Sequence, residues 1–130
     1  MAWKLDSDRP IYTQILEVIT IRIITGQYGS GDKLPSVREL AAEAGVNPNT
    51  MQKAMAELEK SGLVTTQRTS GRTVTEDREL VQQMQKDMAM KQVSEFVYKM
   101  EKLGFDKKGV EELLSKLDWT QIQDGRGGKE

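Results

Sequence analysis

The chain has 130 residues and a formal net charge of −1, with 37% hydrophobic and 30% charged residues; this fits one domain, or a small domain with an appendage, and not a large barrel enzyme. Cysteine and histidine are both absent, which excludes disulfides, zinc ribbons, histidine-ligated haem, Ser-His-Asp triads and cysteine nucleophiles. The near-neutral balance means that any polyanion must be met by local placement of charge, and a polar 1–10 stretch with no apolar run near the roughly 20 residues of a membrane span predicts a soluble, cytoplasmic chain with no membrane partner.

A helix is predicted from Pro10, where a missing N–H costs nothing. Tyr12, Ile15, Leu16, Ile19 and Ile23 recur on one helical face, and Gly26 is a natural stop. A loop with Gly29, Gly31 and Pro35 follows. Ser36-Val37-Arg38-Glu39 has capping-box spacing and opens a second, short helix with Val37, Leu40 and Ala41 inward, ending near Gly45. Asn47 and Pro48 open a third, with Met51, Ala54, Met55 and Leu58 inward and Gly62 closing it. Two short helices across a glycine-bearing turn form a helix-turn-helix. The β-branched runs 63–66 and 73–75 flank a polar turn with Gly71, which is a hairpin signal. The fold class predicted is α+β, mostly helical: a winged helix-turn-helix over 1–75, then a two-helix C-terminal dimerisation extension over 76–120 and a flexible tail over 121–130.

Glu76 to Leu103 holds no glycine or proline in 28 residues, enough for one helix of about 42 Å. Its apolar residues fall in two phases, Leu80, Val81, Met84 and Met88, then Val93, Phe96, Val97, Met100 and Leu103, with a stutter near Lys91–Gln92. Asp106 is positioned to cap a last helix carrying Val110, Leu113, Leu114 and Leu117 on one face. So many large apolar side chains exceed what a small monomer hides, so Leu80, Met84, Met88, Val93, Phe96, Val97, Met100, Leu103, Leu113, Leu114 and Leu117 are candidates for a homodimer interface. The plainer alternative is that the stripe folds back on its own domain. Met84, Met88, Met90 and Met100 can also line an adaptable pocket for an unknown small-molecule effector, although such residues are more often plain core.

The stretches Pro10-Ile11-Tyr12-Thr13-Gln14-Ile15, Gly26-Gln27-Tyr28, and Gly31-Asp32-Lys33-Leu34-Pro35-Ser36-Val37-Arg38-Glu39-Leu40-Ala41 resemble the GntR family of bacterial transcription regulators. Val46-Asn47-Pro48-Asn49-Thr50, Gly62-Leu63-Val64 and Ser70-Gly71-Arg72 continue the match in order. The short remainder after residue 75 resembles the YtrA-like subfamily. The resemblance implies a homodimeric repressor on a palindromic double-stranded DNA operator, in which the residue matching Arg38 touches DNA. Pro48 stands where some relatives carry arginine, which removes one base reader.

The residues themselves allow two readings. Arg38 is either a solvated partner of Glu39 or Glu43, or a guanidinium aimed at phosphate or guanine. Asn47, Asn49, Thr50, Gln52 and Lys53 occupy the first turns of the third helix, where side chains reach major-groove edges and free N–H groups favour phosphate; Asn47 can be a cap alone. Arg68, Ser70, Gly71 and Arg72 are either an exposed hairpin tip or a wing for the minor groove. Residues 1–75 carry nine Lys/Arg against eight Asp/Glu, too small a surplus to argue binding alone, but Lys33, Arg38, Lys53, Arg68 and Arg72 lie on the elements expected to face DNA. No acid pair, phosphate loop or nucleophile constellation stands out, so neither catalysis nor a cofactor is expected. A winged-helix module docking a protein partner is the alternative function.

Overall fold

The computed structural model describes residues 2–68 and 71–122. Helix α1 runs Ile11–Ile24 and buries Ile15, Ile19 and Ile23. Gln14, on the same helix, is also buried, and its amide is fully used. Its Nε2 donates to the carbonyls of Asp6 (2.7 Å) and Arg9 (3.1 Å), and its Oε1 accepts the Asp6 N–H (2.7 Å). A buried polar group is tolerated only when paired in this way, so Gln14 ties the N-terminal segment to α1.

Helix α2 (Val37–Ala44) starts on the expected capping box: Ser36 Oγ accepts the Glu39 N–H at 3.1 Å, and the Glu39 carboxylate accepts the Ser36 N–H at 2.8 Å. It ends at Gly45, whose φ of 77° is left-handed. A Cβ there would also stand 2.8 Å from the Ala2 Cβ, so conformation and close approach both demand glycine. Helix α3 (Pro48–Ser61) is capped by Asn47, whose Oδ1 accepts the Asn49 N–H at 2.7 Å. It buries Met51, Ala54, Met55 and Leu58 against α1 and α2.

Strands β1 (Val64–Gln67) and β2 (Gly71–Val74) form the antiparallel hairpin, in register from Val64 opposite Val74 to Gln67 opposite Gly71. The loop before α2 adds to the outer edge of β2. Lys33 bridges Thr73, Leu34 N–H donates to the Arg72 carbonyl (2.9 Å), and Val74 N–H donates to the Asp32 carbonyl (2.8 Å). This pairing was not evident from residue spacing. It makes β2 the central strand of the wing.

Helix α4 (Arg78–Lys102) begins two residues inside the stretch free of glycine and proline, because Asp77 accepts the Leu80 N–H at 3.1 Å and acts as its cap. Its first turns lay Leu80, Val81 and Met84 on the α1–α3 core. One compact unit therefore covers Met1–Asp87 and a second Met88–Glu130, so packing divides the chain further along than the expected boundary at residue 75. Leu80 and Met84, assigned from spacing to the interface stripe, pack within the first unit.

In the second unit Gly104 (φ 96°) ends α4, and Asp106 caps α5 (Lys107–Ser115) by accepting the Gly109 N–H at 2.9 Å. Val110 is buried. The expected last helix was to carry Leu117, but α5 stops before it. Asp118 accepts the Thr120 N–H at 3.1 Å and starts a new helical turn over 119–122. Most of the expected tail, 123–130, lies outside the described residues. No helix among the described residues is long and apolar enough to cross a membrane.

Gln14→Leu keeps the volume but leaves the Asp6 N–H and two carbonyls without their partner. The expected loss is about 1–3 kcal/mol of unfolding free energy, read as a lower urea midpoint. An unchanged midpoint would mean that the segment is not held this way.

Candidate nucleic-acid interface

Arg38 projects from the first turn of α2 and is exposed. Its two candidate partners are engaged elsewhere. Glu39 completes the capping box. Glu43 accepts from Arg22 Nη2 at 2.7 Å and from Trp3 Nε1 at 2.9 Å. Arg38 takes part in none of the ion pairs found among the described residues.

The Glu43 pair is a brace in its own right. Arg22 donates also to the Tyr28 hydroxyl (2.8 Å) and lies 4.8 Å from the centre of the Trp3 ring. The N-terminal segment, α1, the following loop and α2 thus meet on one guanidinium. The Arg22 hydrogen bond, seconded by Trp3, holds the Glu43 carboxyl below the usual carboxylate range, while the same bond raises the Arg22 pKa.

On α3 the buried face fixes what points outward. Asn49, Gln52 and Lys53 are exposed and Thr50 is half-buried. Asn47 spends its side-chain oxygen on the cap, which leaves its amide N–H groups available. Lys53 is steered toward α1, with its Nζ 4.2 Å from the centre of the Tyr12 ring, a cation–π contact that orders the side chain without neutralising it.

The wing divides its cations. Arg72 is half-buried, and its Nε donates to Glu59 of α3 at 3.1 Å. It therefore braces the wing against the third helix, a role that residue spacing did not reveal. Arg68 and Lys33 are exposed. Gly71 has a φ of 80°, and a Cβ there would meet only the Lys33 Cε, at 3.8 Å. Its backbone conformation, and not crowding within the chain, calls for glycine. Ser70 lies outside the described residues.

Sequence reasoning missed Gln14, Arg22 and Glu59 as organisers of this surface, and offered Glu43 to Arg38 where it pairs with Arg22 and Trp3. Their partners are up to 40 residues away in the chain, beyond any local period. The one available signal was an arginine next to the apolar stripe of α1.

A three-helix core, a β-wing and an unburied polar face on the third helix define a winged helix-turn-helix protein. Residues 11–74 match the family described as bacterial regulatory proteins, gntR family. The HTH-type transcriptional regulator YhcF of Bacillus subtilis is 39% identical over 111 residues, 85% of this chain and 89% of YhcF. The HTH-type transcriptional repressor YtrA of the same organism is 45% identical over 71 residues, 55% of either chain. A GntR family transcriptional regulator from Listeria monocytogenes superposes with a TM-score of 0.81 at 41% identity, over 88% of this chain and all of that one. The DNA-binding domain of AraR in complex with operator ORE1 superposes with a TM-score of 0.50 at 30% identity, over 58% of this chain and 94% of that one. The chain belongs to the GntR family of transcriptional regulators, in its YtrA-like subfamily, and its helix-turn-helix is a DNA-binding one.

Two stability measurements check the braces. Glu43 has a folded pKa below its unfolded value, so its contribution is fully present above the ordinary carboxylate range, near about 4.3, and is lost as pH falls through the folded pKa. Its side chain is 42% exposed, which limits the pair to about 1 kcal/mol or less. Glu43→Gln should therefore lower stability slightly at neutral pH and flatten its acid limb. A double-mutant cycle on Arg72→Ala and Glu59→Ala should give a coupling of about 0.5–1 kcal/mol. Strict additivity would show that the wing is not held through this pair.

Proposed function

We propose that the protein is a homodimeric repressor that reads a palindromic DNA operator in the cytoplasm. The observation that carries the reading is that Arg38, on α2, has no ion-pair partner among the described residues, while Asn49, Gln52 and Lys53 on the neighbouring α3 are exposed. Guanidinium suits guanine or phosphate, and the amides of Asn49 and Gln52 suit adenine. Thr50, Asn47, Lys33, Arg68, Ser70 and Gly71 complete the contact set, with the wing reaching the flanking minor groove. Arg72 contributes through its hold on Glu59. A repressing role is supported by the name of the relative YtrA.

The dimer rests on the second unit. Val93, Phe96, Leu113, Leu114 and Leu117 are exposed, and Leu103 is 72% exposed. At about 25 cal/mol per Å² of apolar surface, a second copy is the natural cover for them, joined by the half-buried Met88, Val97 and Met100. Two-fold symmetry then requires inverted half-sites about 34–36 Å apart, or a multiple of that. The methionines expected to line an effector pocket do not line the cleft of ≈ 210 Å³ formed by Ile23, Tyr28, Val74 and Val81, so a small effector would find room there without them.

The test is a fluorescence-anisotropy titration of duplexes from upstream of the protein's own gene at ~100 mM salt. Sequence-dependent binding is expected. Arg38→Ala should weaken it by about 1–3 kcal/mol with no change in the thermal melt. Absence of sequence-dependent binding by the wild type would favour a protein-docking role for the winged helix. Equal affinity of the variant would remove Arg38 from the site.

A further inference from the structure

The segment before α1 alternates: Trp3 and Leu5 are half-buried, while Ala2, Lys4 and Asp6 are exposed. It is fastened at both ends. Trp3 N–H donates to the Ala44 carbonyl at 3.2 Å and Trp3 Nε1 donates to Glu43 at 2.9 Å, while Asp6 is clasped by Gln14. Between these points the segment lies along the turn joining α2 to α3. Trp3 and Leu5 share a groove there with Gly45, Asn47 and Thr50. Asn47 and Thr50 belong to the start of α3, the end expected to enter the major groove.

We propose that residues 2–6 are a third DNA-contacting element, in which Lys4 holds a backbone phosphate next to the one that the first turn of α3 faces. Extended backbone turns successive side chains to opposite sides. Docking Trp3 and Leu5 therefore turns Lys4 to solvent, on a segment whose docked side borders the start of α3. A lysine is suited to this role as a compact point charge on a flexible stem. Two carboxylates of the same segment, Asp6 and Asp8, are exposed. Asp6 lies at the α1 end and is 3.7 Å from Arg9, so the cationic end of the segment is the one beside α3. A phosphate contact of this kind adds affinity for any sequence and carries no base preference.

The inference rests on the DNA-binding reading, and one salt titration separates the two. The full chain, Lys4→Ala, Lys4→Arg and Trp3→Ala are each titrated against a mixed-sequence duplex of about 30 base pairs between ~50 and ~200 mM salt. Lys4→Ala should reduce the slope of log K against log salt by about 0.9 per subunit, so the wild type loses about 3.5-fold more affinity per subunit over that range. Lys4→Arg should keep the wild-type slope. Trp3→Ala, which frees the segment, should lose the same increment, with a thermal melt to confirm that the variant is folded. An unchanged slope in Lys4→Ala, or in a folded Trp3→Ala, overturns the contact while leaving the regulator's DNA binding intact. Failure of Lys4→Arg to restore the slope overturns it as well. A wild-type chain that binds no duplex at all overturns the inference and the proposed function together.

Discussion

The orientation of the helix-turn-helix depends on the burial of one face of α3. Met51, Ala54, Met55 and Leu58 are at most 1% exposed, and each large side chain buried in this way is worth about 1.5–3 kcal/mol. Rotating the helix by one residue would lift several of them into water at once. That cost locks the helical phase and sends Asn49, Gln52 and Lys53 outward. The outward face needs no stabilisation of its own. Its residues are free to vary without loss of the fold, because packing on the other side holds them in place.

A locked helix still has to be placed against its neighbours, and here polar pairs do what the core cannot. Arg22 joins α1, the loop at Tyr28 and α2 through Glu43, while Arg72 joins the wing to α3 through Glu59. These pairs are partly exposed and individually weak. Their importance lies in which groups they occupy. By taking Glu43, and by leaving Glu39 to cap α2, the fold removes both nearby acceptors from Arg38. An arginine without an ion-pair partner among the described residues is then a consequence of hydrogen bonding elsewhere in the chain.

Local features of this architecture were legible in the sequence. Ser36, Asn47 and Asp106 cap the helices they were expected to cap, because a cap is a contact between residues two or three apart. The buried stripes of α1 and α3 follow the helical period for the same reason. Long-range pairing was not legible: neither the partners of Arg22 and Arg72 nor the edge pairing of Lys33 with Thr73 has a local signature. The stripe on α4 shows the limit most clearly. Leu80 and Met84 have the spacing of an interface residue and that of a core residue alike. The structure sets them on their own core while Val93, Phe96 and Leu103 remain exposed. Periodicity says that a face will be covered, but not by what.

Selection of bound duplexes from a random-sequence pool, with the wild-type chain and with an Asn49→Ala/Gln52→Ala variant, tests most directly whether the outward face of α3 reads bases. The wild type should enrich an inverted repeat, and the variant should lose the preference at the inner positions of each half-site while keeping its salt dependence. Enrichment of the same repeat by both proteins would show that α3 is not the reading element.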